Sequence, residues 1–432
     1  MLKIESKKDC CGCGACSQKC PKGCIELRAD EEGFFYPEVD MSTCIECGLC
    51  EKSCPMLYPY QRRKPLSVYA VINPAENIRK SSSSGGIFSF LAEKIINMDG
   101  CVFGARYDHD WQVIIGHTET KEGVSAFRGS KYVQAKTSKS YGKCKEYLEA
   151  GRQVLYMGTP CQISGLHHYL KKSYSNLLAV DFICHGAPSP KVWKKYLDEV
   201  LMLSKPCIQG MNIRDKRNEW KKSGFTINAI DDSNGIELTS PYNKNPYMEA
   251  FLWDLTLRPS CYACKAKNGM SHADITIGDF WGIGEEHPEM DDDKGTSVVM
   301  INTEKGKEFL NLSELKHIAS SYSVVCKHNP AVCVSAVEHR KRNYFFSCLD
   351  RKPIVDLIWE CLEPTMLERI KSFRLYLRKL RQWVLGGKGK NRNIDIVFVN
   401  AEHRQMEGRI KHVNFRDKRK SWEHYNISIE IE

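Results

Sequence analysis

The first 55 residues contain a repeated run of cysteines whose type and spacing suit the binding of iron–sulfur clusters. The eight cysteines are Cys10, Cys13, Cys16 and Cys20, followed 34 positions later by Cys44, Cys47, Cys50 and Cys54. Each run reads C-x2-C-x2-C-x3-C-P, the bacterial-type signature in which the fourth cysteine binds the other cluster. Thiolate is also the soft ligand that such clusters select. The spacing therefore predicts two 4Fe-4S clusters, one on Cys10, Cys13, Cys16 and Cys54 and one on Cys44, Cys47, Cys50 and Cys20.

Two other uses of these cysteines fit the sequence less well. A disulfide framework requires an oxidising compartment, yet the first residues are polar and no apolar stretch of a signal peptide follows them. Zinc sites usually pair two C-x2-C units across a spacer instead of placing four cysteines in one run. We therefore expect cluster ligands in a cytoplasmic protein. Cys11 and Cys24 fall outside the pattern, and we expect a spare thiol and a buried apolar side chain, respectively.

The net charge of +10 is concentrated near the end of the chain. Residues 365–432 carry 16 Lys or Arg against 8 Asp or Glu, so the residues before them are nearly neutral. No basic stripe accompanies the cysteine runs, which argues against a nucleic-acid-binding role. No uninterrupted apolar run approaches the length of a membrane span.

Within this basic tail, residues 366–385 place apolar side chains at helical spacing with Lys and Arg between them. A basic amphipathic helix can lie on an anionic membrane surface, on a partner protein or on the body of its own chain. The pattern does not choose among these three, and a peripheral membrane contact is therefore one of the outcomes that it allows.

At 432 residues the chain is long enough for two or three domains. We expect a ferredoxin-like 2×(4Fe-4S) domain over residues 1–58, an α/β domain over 67–347 and a basic helical tail over 365–432. The stretch from Tyr58 to Pro65, rich in Pro, Arg and Lys, marks the first boundary. Residues 154–157, 163–170 and 177–183 read as strand, helix and strand, which predicts a right-handed β-α-β unit. The predicted fold class is therefore α+β for the first domain and α/β for the second.

A serine and glycine loop lies ahead of a predicted helix in the α/β region. Ser81 to Gly86 are followed by apolar residues at helical period from Ile87. Free amides at a helix N-terminus suit a phosphate group, so the loop could bind a pyrophosphate or a flavin phosphate. A plain serine N-cap explains the same residues. The turn that contains Lys131 is a weaker phosphate-binding candidate, for which a solvated surface turn is the simpler explanation.

Four further cysteines could form a third cluster site. Cys161 and Cys184 follow two predicted strands at the sheet edge where ligands collect, and Cys261 and Cys264 form a C-x2-C pair. If these loops converge, the four thiolates can hold another 4Fe-4S cluster. Alternatively, Cys161 and Cys184 are small buried apolar residues. Burial is also what we expect for cysteines without ligand spacing, namely Cys144, Cys207, Cys326, Cys333, Cys348 and Cys361.

Several short motifs of the α/β region resemble those of the family of coenzyme F-420 hydrogenase/dehydrogenase beta subunits. They are Ser83-Ser84-Gly85-Gly86, Gly129-Ser130-Lys131-Tyr132-Val133, Gly158-Thr159-Pro160-Cys161-Gln162, Cys184-His185-Gly186, Cys261-Tyr262-Ala263-Cys264 and Gly278-Asp279-Phe280-Trp281-Gly282. The resemblance implies an FAD-binding α/β domain with a nearby 4Fe-4S cluster. It places Ser84, Gly85, Gly86, Lys131 and Thr159 near the flavin. His185 and Asp279 become candidate catalytic residues beside the isoalloxazine ring or the cluster, two roles that the resemblance does not separate.

Two functions are compatible with these features. The first is an iron–sulfur flavoprotein oxidoreductase in which electrons pass between the clusters and FAD, and FAD exchanges a hydride with a deazaflavin or another small acceptor. The second is a non-catalytic electron-transfer subunit that feeds a partner enzyme, since bacterial relatives of this family often belong to cell-surface polysaccharide gene sets. The expected partner is accordingly a redox protein or a small hydride carrier.

Overall fold

An eight-stranded mixed sheet forms the centre of the chain in the computed structural model, which describes residues 4–201, 207–217, 219–231, 234–363, 395–399 and 405–409. Residues 1–362 form one compact unit, and residues 363–432 form a second. The strands of the described residues are β1 (Ile25–Ala29), β2 (Phe35–Val39), β3 (Ser67–Ile72), β4 (Cys101–Tyr107), β5 (Val113–Thr118), β6 (Val154–Gly158), β7 (Leu177–Phe182), β8 (Cys207–Asp215), β9 (Gly224–Asp231), β10 (Asn234–Pro241), β11 (Ile275–Asp279), β12 (Ser297–Ile301), β13 (Lys316–Ser320), β14 (Asp395–Val399) and β15 (Gln405–Arg409).

Helices cover both faces of this sheet and connect its strands. The helices of the described residues, including those of the N-terminal region and those beside the small sheet, are α1 (Ala15–Lys19), α2 (Leu49–Lys52), α3 (Glu76–Ser81), α4 (Ile87–Asn97), α5 (Lys121–Val124), α6 (Ser140–Glu149), α7 (Pro160–Leu170), α8 (Pro190–Val200), α9 (Pro246–Leu252), α10 (Ile283–Glu286), α11 (Glu304–Phe309), α12 (Tyr322–His328), α13 (Arg342–Cys348) and α14 (Ile354–Leu362). In the described part of the chain, none of these helices has the length and apolar character needed to cross a membrane.

The large sheet combines a parallel centre with antiparallel edges. Its strand order is β13-β3-β12-β11-β7-β6-β4-β5, in which β4, β6, β7 and β11 run parallel to one another, while β5 pairs antiparallel with β4 and β12 pairs antiparallel with β11. The central strands are buried on both faces, as expected where helices cover a parallel sheet. Ligand sites of such sheets collect at the carboxyl ends of the strands, which here carry the turns after β6, β7 and β11.

The predicted β-α-β unit corresponds to β6, α7 and β7. Thr159 caps α7 by accepting a hydrogen bond from the Gln162 amide, and the Gln162 side chain accepts one from the Thr159 amide. Pro160 occupies the first helical position, where its missing N–H costs nothing. This cap places Cys161 in the first turn of the helix, directly at the carboxyl edge of the sheet.

The N-terminal region consists of two similar halves joined by the β1–β2 hairpin, in which Ile25 pairs with Val39. Gly12 and Gly14 have φ values of +67° and +76°, and the residues 34 positions later, Glu46 and Gly48, have φ values of +51° and +67°. The same left-handed turns therefore wrap both cysteine runs before α1 and α2 begin. This backbone repeat matches the sequence repeat and is consistent with a ferredoxin-like region.

A second, three-stranded sheet lies beside the large one, in the order β10-β9-β8. A hydrophobic core joins this sheet to α8, α9, α13 and α14, with Trp193, Tyr247 and Phe345 fully buried in it. The mixed α/β architecture with an N-terminal ferredoxin-like region agrees with the predicted fold class. The domain boundaries 1–58 and 67–347 remain predictions, because residues 1–362 pack as one unit.

The second unit is described only in part. Strands β14 and β15 form an antiparallel hairpin in which Asp395 pairs with Arg409. The basic amphipathic helix predicted over residues 366–385 lies outside the described residues.

Candidate functional site

The first predicted ligand set, Cys10, Cys13, Cys16 and Cys54, lies where the N-terminal region meets the α/β domain. Burial raises the pKa of Cys16 to about 12, and the neighbouring thiols of Cys10 and Cys54 act in the same direction. Cys13 and Cys16 are each less than a tenth exposed. The four thiols are thus brought together, with Cys13 and Cys16 buried and Cys10 and Cys54 partly exposed.

The second predicted set lines a cavity within the N-terminal region. The cavity walls include Cys20, Cys44, Cys47 and Cys50, together with Cys24 and apolar side chains such as Ile25 and Leu49. All four predicted ligands therefore face one space whose donors are thiols and whose remaining walls are mainly apolar. Such a space fits a 4Fe-4S cluster, for which soft thiolate ligands are the preferred donors.

Cys24 is buried, as expected from the sequence, but it also contacts a predicted ligand. Its sulfur lies 3.2 Å from the sulfur of Cys20, and only 7% of the residue is exposed. Cys24 therefore forms part of the wall of the second cluster site.

The third candidate set is brought together from three separate segments of the chain. Cys161 begins α7, Cys184 follows β7, and Cys261 and Cys264 belong to a single helical turn after Pro259. Burial raises the pKa of Cys184, and the nearby thiols of Cys261, Cys161 and Cys264 act in the same direction. The Ala187 amide donates a hydrogen bond of 3.3 Å to the Cys261 sulfur, so this loop has a fixed conformation at the site.

Among the described residues, no group of three or more His, Cys, Asp or Glu side chains has the arrangement needed to hold a single metal ion. A structural zinc site needs four ligands converging tightly on one point. A 4Fe-4S cluster is larger than a single zinc ion, and each of its thiolates binds a different iron atom. The donors of the three sets are thiols, which suit a 4Fe-4S cluster.

Cys11, expected to be a spare thiol, lies between two of the three sets. Its thiol is close enough to Cys13 of the first set and to Cys161 of the third for both to shift its pKa, Cys13 raising it and Cys161 lowering it. A Cβ added at Gly165 of α7 would lie 2.9 Å from the Cys13 sulfur. The first set therefore packs against α7, the helix that carries Cys161 in its first turn, a relation that no spacing in the sequence indicates.

Thr159 and His185 lie beside the third set. The Thr159 hydroxyl is 3.2 Å from the Cys161 sulfur, and His185 Nε2 is 2.6 Å from the Asp254 carboxylate. The His185 ring also packs edge-on against Phe251. Of the two candidate catalytic residues, His185 is thus held near Cys184. Asp279 lies elsewhere, close to Arg214.

The serine and glycine loop packs tightly against the edge strands of the sheet. The Gly85 amide donates to Ser297 Oγ at 2.9 Å, and a Cβ at Gly85 would lie 2.6 Å from the Val71 carbonyl oxygen. Gly86 has φ +85° and directly precedes α4, which has no side-chain cap. Backbone packing alone therefore requires Gly85, and α4 begins without a side-chain cap.

Hydrogen bonds connect this loop to the Lys131 turn and to the second sheet. Ser130 Oγ donates to Ser83 Oγ at 2.9 Å, and Trp220 Nε1 donates to the Ser83 carbonyl at 3.1 Å. The Lys131 ammonium donates to two backbone carbonyls, and burial lowers its pKa to about 7. Ser84, Gly85, Gly86 and Lys131 thus belong to one continuous region, which we call the loop region.

Arg214 lies in this region and was missed by sequence reasoning. Its guanidinium is 3.4 Å from the Asp279 carboxylate and lies 5.5 Å from the ring centroids of both Trp220 and Trp281. Arg214 is only 3% exposed, and its Nε–H is buried without a hydrogen-bond partner. A buried donor without a partner is costly. This unsatisfied donor fits a region that receives a polar or anionic cofactor group. The only sequence signal was an Arg and a Lys, two positions apart, ahead of a Trp.

Lys216 is hydrogen-bonded to the backbone of the loop region. Its ammonium donates to the carbonyls of Arg79, Ser84 and Lys294 at 2.7, 2.9 and 2.8 Å. Burial lowers its pKa to about 8. Lys216 therefore fixes the backbone of the serine loop, and its donors are already used within the protein.

Two expectations about the remaining cysteines were wrong. Cys207 is exposed, because it begins an edge strand of the small sheet. Cys326 and Cys333 are bonded to each other as a disulfide across the end of α12. Cys144, Cys348 and Cys361 are buried, as expected.

Taken together, the fold and these sites define an iron–sulfur protein in which a ferredoxin-like region packs on an α/β domain. Residues 9–57 match the sequence model of the 4Fe-4S dicluster domain. Residues 151–321 match that of the C terminus of the coenzyme F420 hydrogenase/dehydrogenase beta subunits. The resemblance inferred from the motifs is therefore confirmed: the chain carries a 4Fe-4S dicluster domain ahead of a region that matches the C terminus of the coenzyme F420 hydrogenase/dehydrogenase beta subunits. Electron transfer through iron–sulfur clusters is the function class that this combination defines.

Two individual proteins are similar to this chain. The chain is 23% identical over 317 residues to the F subunit of the F(420)H(2) dehydrogenase of Methanosarcina mazei, covering 70% of this chain and 82% of that protein. It is 17% identical to a chain in the structure of the F420-reducing [NiFe] hydrogenase complex from Methanosarcina barkeri, with a TM-score of 0.41 and coverage of 60% of this chain and 83% of that one. A structural similarity at that level carries no argument about this protein.

Proposed function

We propose that this chain is an iron–sulfur flavoprotein oxidoreductase that passes electrons between three 4Fe-4S clusters and FAD. FAD exchanges a hydride with a deazaflavin or another small acceptor. Clusters carry single electrons, whereas flavins also perform hydride transfer, so the flavin joins the two kinds of chemistry. The names of the matched family and of the Methanosarcina mazei relative support a deazaflavin as the hydride carrier.

The observation that carries this proposal is the continuity of the three thiol sets. Cys50 of the second set is near enough to Cys16 of the first set to influence its pKa. Cys11 then connects the first set to Cys161 of the third. Electron transfer between clusters requires that they lie close together and away from water. A chain of adjoining thiol sets supports that use better than three isolated structural sites would.

The loop region is the proposed place for FAD. Three features support it: the start of α4, which has no side-chain cap, the Lys131 ammonium and the unsatisfied Nε–H of Arg214. Amides at a helix N-terminus and cationic side chains are groups that bind phosphates and other anions. Asp279 and Trp281 border the same region, since both lie near Arg214.

The test is an anaerobic analysis of iron, labile sulfide and flavin per chain. We expect about twelve irons, because three cubanes hold four irons each, together with one FAD. About eight irons with FAD would remove the third cluster from the proposal. A protein purified without air that holds neither iron nor flavin would overturn it.

Arg214→Gln tests the flavin site separately from the clusters. Loss of a charged donor from a buried site costs about 1.5–3 kcal/mol, so we expect FAD binding to weaken roughly ten- to a hundredfold while the iron content stays the same. Arg217→Gln is the matched control, because Arg217 belongs to the same segment but is half exposed and pairs with Asp215 and Glu237. Equal flavin binding in both variants would place the flavin elsewhere.

The alternative function is an electron-transfer subunit that feeds a partner enzyme. It is favoured by the name of the Methanosarcina mazei relative, which is one subunit of a dehydrogenase. The isolated chain, carrying clusters and FAD, is mixed anaerobically with a reduced deazaflavin or a reduced nicotinamide. Bleaching of the cluster absorbance supports the oxidoreductase. Intact cofactors that react with neither carrier support the partner-dependent role.

We also propose that the protein works in the cytoplasm, because ligand thiols stay reduced there. Cell fractionation with an antibody to the chain tests this location. A membrane-bound fraction that high salt releases would instead favour peripheral attachment through the basic tail.

A further inference from the structure

Arg258 is buried at the junction between the N-terminal region and the α/β domain. Only 1% of it is exposed, and it directly precedes the segment that carries Cys261. Its guanidinium donates to the Cys10 carbonyl at 2.8 Å, to the Phe35 carbonyl at 3.0 Å and to Gln134 Oε1 at 3.3 Å. It therefore ties the first cluster loop to the start of the third.

All three of these acceptors are uncharged. The guanidinium also lies 4.2 Å from the ring centroid of Tyr36, a further neutral contact. The ionisable groups with the strongest electrostatic effect on it are Cys10, Tyr36, Cys11 and Cys261, so three of the four are thiols, of which Cys10 belongs to the first set and Cys261 to the third. A buried charge requires compensation, and here the opposite charge available is that of thiolates.

Arg342 provides a contrast at the same junction. It is also buried, at 4% exposure, and it also joins the α/β domain to the N-terminal region. Its guanidinium makes a bidentate pair with the Glu32 carboxylate, at 3.0 and 2.5 Å. The charge of Arg342 is thus neutralised by a carboxylate, whereas that of Arg258 faces the thiols.

We propose that Arg258 is a positioning residue that holds the first and third cluster loops together and whose charge raises the reduction potentials of those two clusters. This inference rests on the proposed three-cluster function. Reduction adds one negative charge to a cluster, and a nearby buried cation stabilises the reduced form. None of the thiols proposed for the second cluster, Cys20, Cys44, Cys47 and Cys50, is among the groups with the strongest electrostatic effect on Arg258, so that cluster serves as an internal reference.

The experiment is an anaerobic redox titration of the full chain, followed by electron paramagnetic resonance, for wild type and Arg258→Gln. We expect two of the three midpoint potentials to become more negative and one to stay unchanged. Arg258→Lys keeps the charge and should return the two potentials towards the wild-type values. Unchanged potentials in Arg258→Gln, equal shifts of all three, or a Lys variant that behaves like Gln would each overturn the proposal.

A second variant tests the charge without removing Arg258. Gln134→Glu places a carboxylate against the guanidinium at nearly constant shape, so it should neutralise the charge and shift the same two potentials in the same direction. It decides the question if Arg258→Gln fails to fold, because potentials unchanged in Gln134→Glu would then count against the proposal.

The control is the double variant Glu32→Gln with Arg342→Gln, which removes the other buried link at the junction without leaving a lone charge. Its potentials should equal those of wild type. Iron content distinguishes a failure of the proposed three-cluster function from a failure of the role of Arg258. A wild-type chain without twelve irons contradicts the proposed three-cluster function. Full iron content with unshifted potentials contradicts only the role of Arg258.

Discussion

At the scale of single residues, the contact between Cys11 and Cys161 decides how the clusters are connected. Cys11 follows Cys10 directly, so it lies on the same loop as the first ligand set, while Cys161 begins α7. The two thiols are close enough for Cys11 to raise the pKa of Cys161. A residue outside the repeated pattern thus lies between the first and third thiol sets.

The first residue-scale prediction concerns Cys264. Cys264→Ser should lower the iron content by about four per chain, because one cubane loses a ligand, and should leave the two N-terminal clusters intact. Colorimetric iron and labile sulfide analysis measures the change. Cys207→Ser is the control, since Cys207 is an exposed thiol away from the sets. Unchanged iron in Cys264→Ser would show that Cys264 is not a ligand.

The second concerns the charge of Lys131. Burial lowers its pKa to about 7, and a bound phosphate would raise that pKa, so FAD binding should be strongest below about pH 7 and weaken as the pH rises through this value. The decrease can reach about tenfold per pH unit for one proton. Fluorescence titration of the flavin-free protein with FAD between pH 6 and 9 measures it.

Lys131→Arg separates this cause from general effects of pH. Because arginine stays protonated over the whole range, the variant should bind FAD with little pH dependence. A variant that retains the wild-type pH profile would assign the titration to another group, and a flat wild-type profile would remove Lys131 from the flavin site.

At the scale of elements, the serine and glycine loop shows how one segment can combine a packing role with a binding role. The sequence left open whether the loop serves a phosphate or only caps a helix. Gly85 is required by the neighbouring strands β3 and β12, and Gly86 by its left-handed turn ahead of α4. The glycines are therefore explained by backbone packing, and the binding hypothesis now depends on Lys131 and Arg214 instead.

Gly85→Ala tests this packing. The added Cβ would lie 2.6 Å from the Val71 carbonyl and 2.8 Å from the Ser297 amide, so the loop must move and we expect a loss of about 1–3 kcal/mol in stability. A lower midpoint in thermal unfolding, followed by circular dichroism, measures it. Gly235→Ala, where a Cβ meets open space, should change little. Equal midpoints for Gly85→Ala and wild type would contradict the close approach.

The β6–α7–β7 unit shows where sequence reasoning about elements succeeded. Its apolar strands, its Thr-Pro helix start and its Gln162 capping partner are all local signals. Local signals survive folding when no tertiary contact opposes them. The same signals placed Cys161 and Cys184 at the correct edge of the sheet, although they could not show that the C-x2-C pair comes from another part of the chain to meet them.

At the scale of the whole molecule, the ferredoxin-like region is an integral part of the larger unit. The stretch from Tyr58 to Pro65 suggested a boundary, yet residues 1–362 pack together. Gly33 lies so close to α8 that an added Cβ would overlap the Cβ of Lys191. The N-terminal clusters are therefore held at a fixed place on the α/β domain, which favours electron transfer within one chain.

The Arg342–Glu32 pair offers a test of this docking. Arg342→Gln leaves the Glu32 carboxylate without its partner, and breaking a buried pair typically costs about 3–5 kcal/mol. We expect a lower unfolding midpoint and faster proteolysis between residues 58 and 66. Lys352→Gln is the control, because its pair with Glu360 is largely exposed and exposed pairs contribute little. Unchanged proteolysis in Arg342→Gln would mean that the docking depends on other contacts.

The sequence by itself determined the chemistry of the clusters, since cysteine type and spacing are local properties that fix the ligands of a cubane loop. It also determined the β-α-β unit and the family motifs for the same reason. Only the tertiary structure decided that Cys11 joins two thiol sets, that Arg258 and Arg214 are buried against them and against Asp279, and that Cys326 pairs with Cys333. These relations depend on which surfaces come into contact when the chain buries its apolar faces. The spacing of residues along the chain does not predict those contacts.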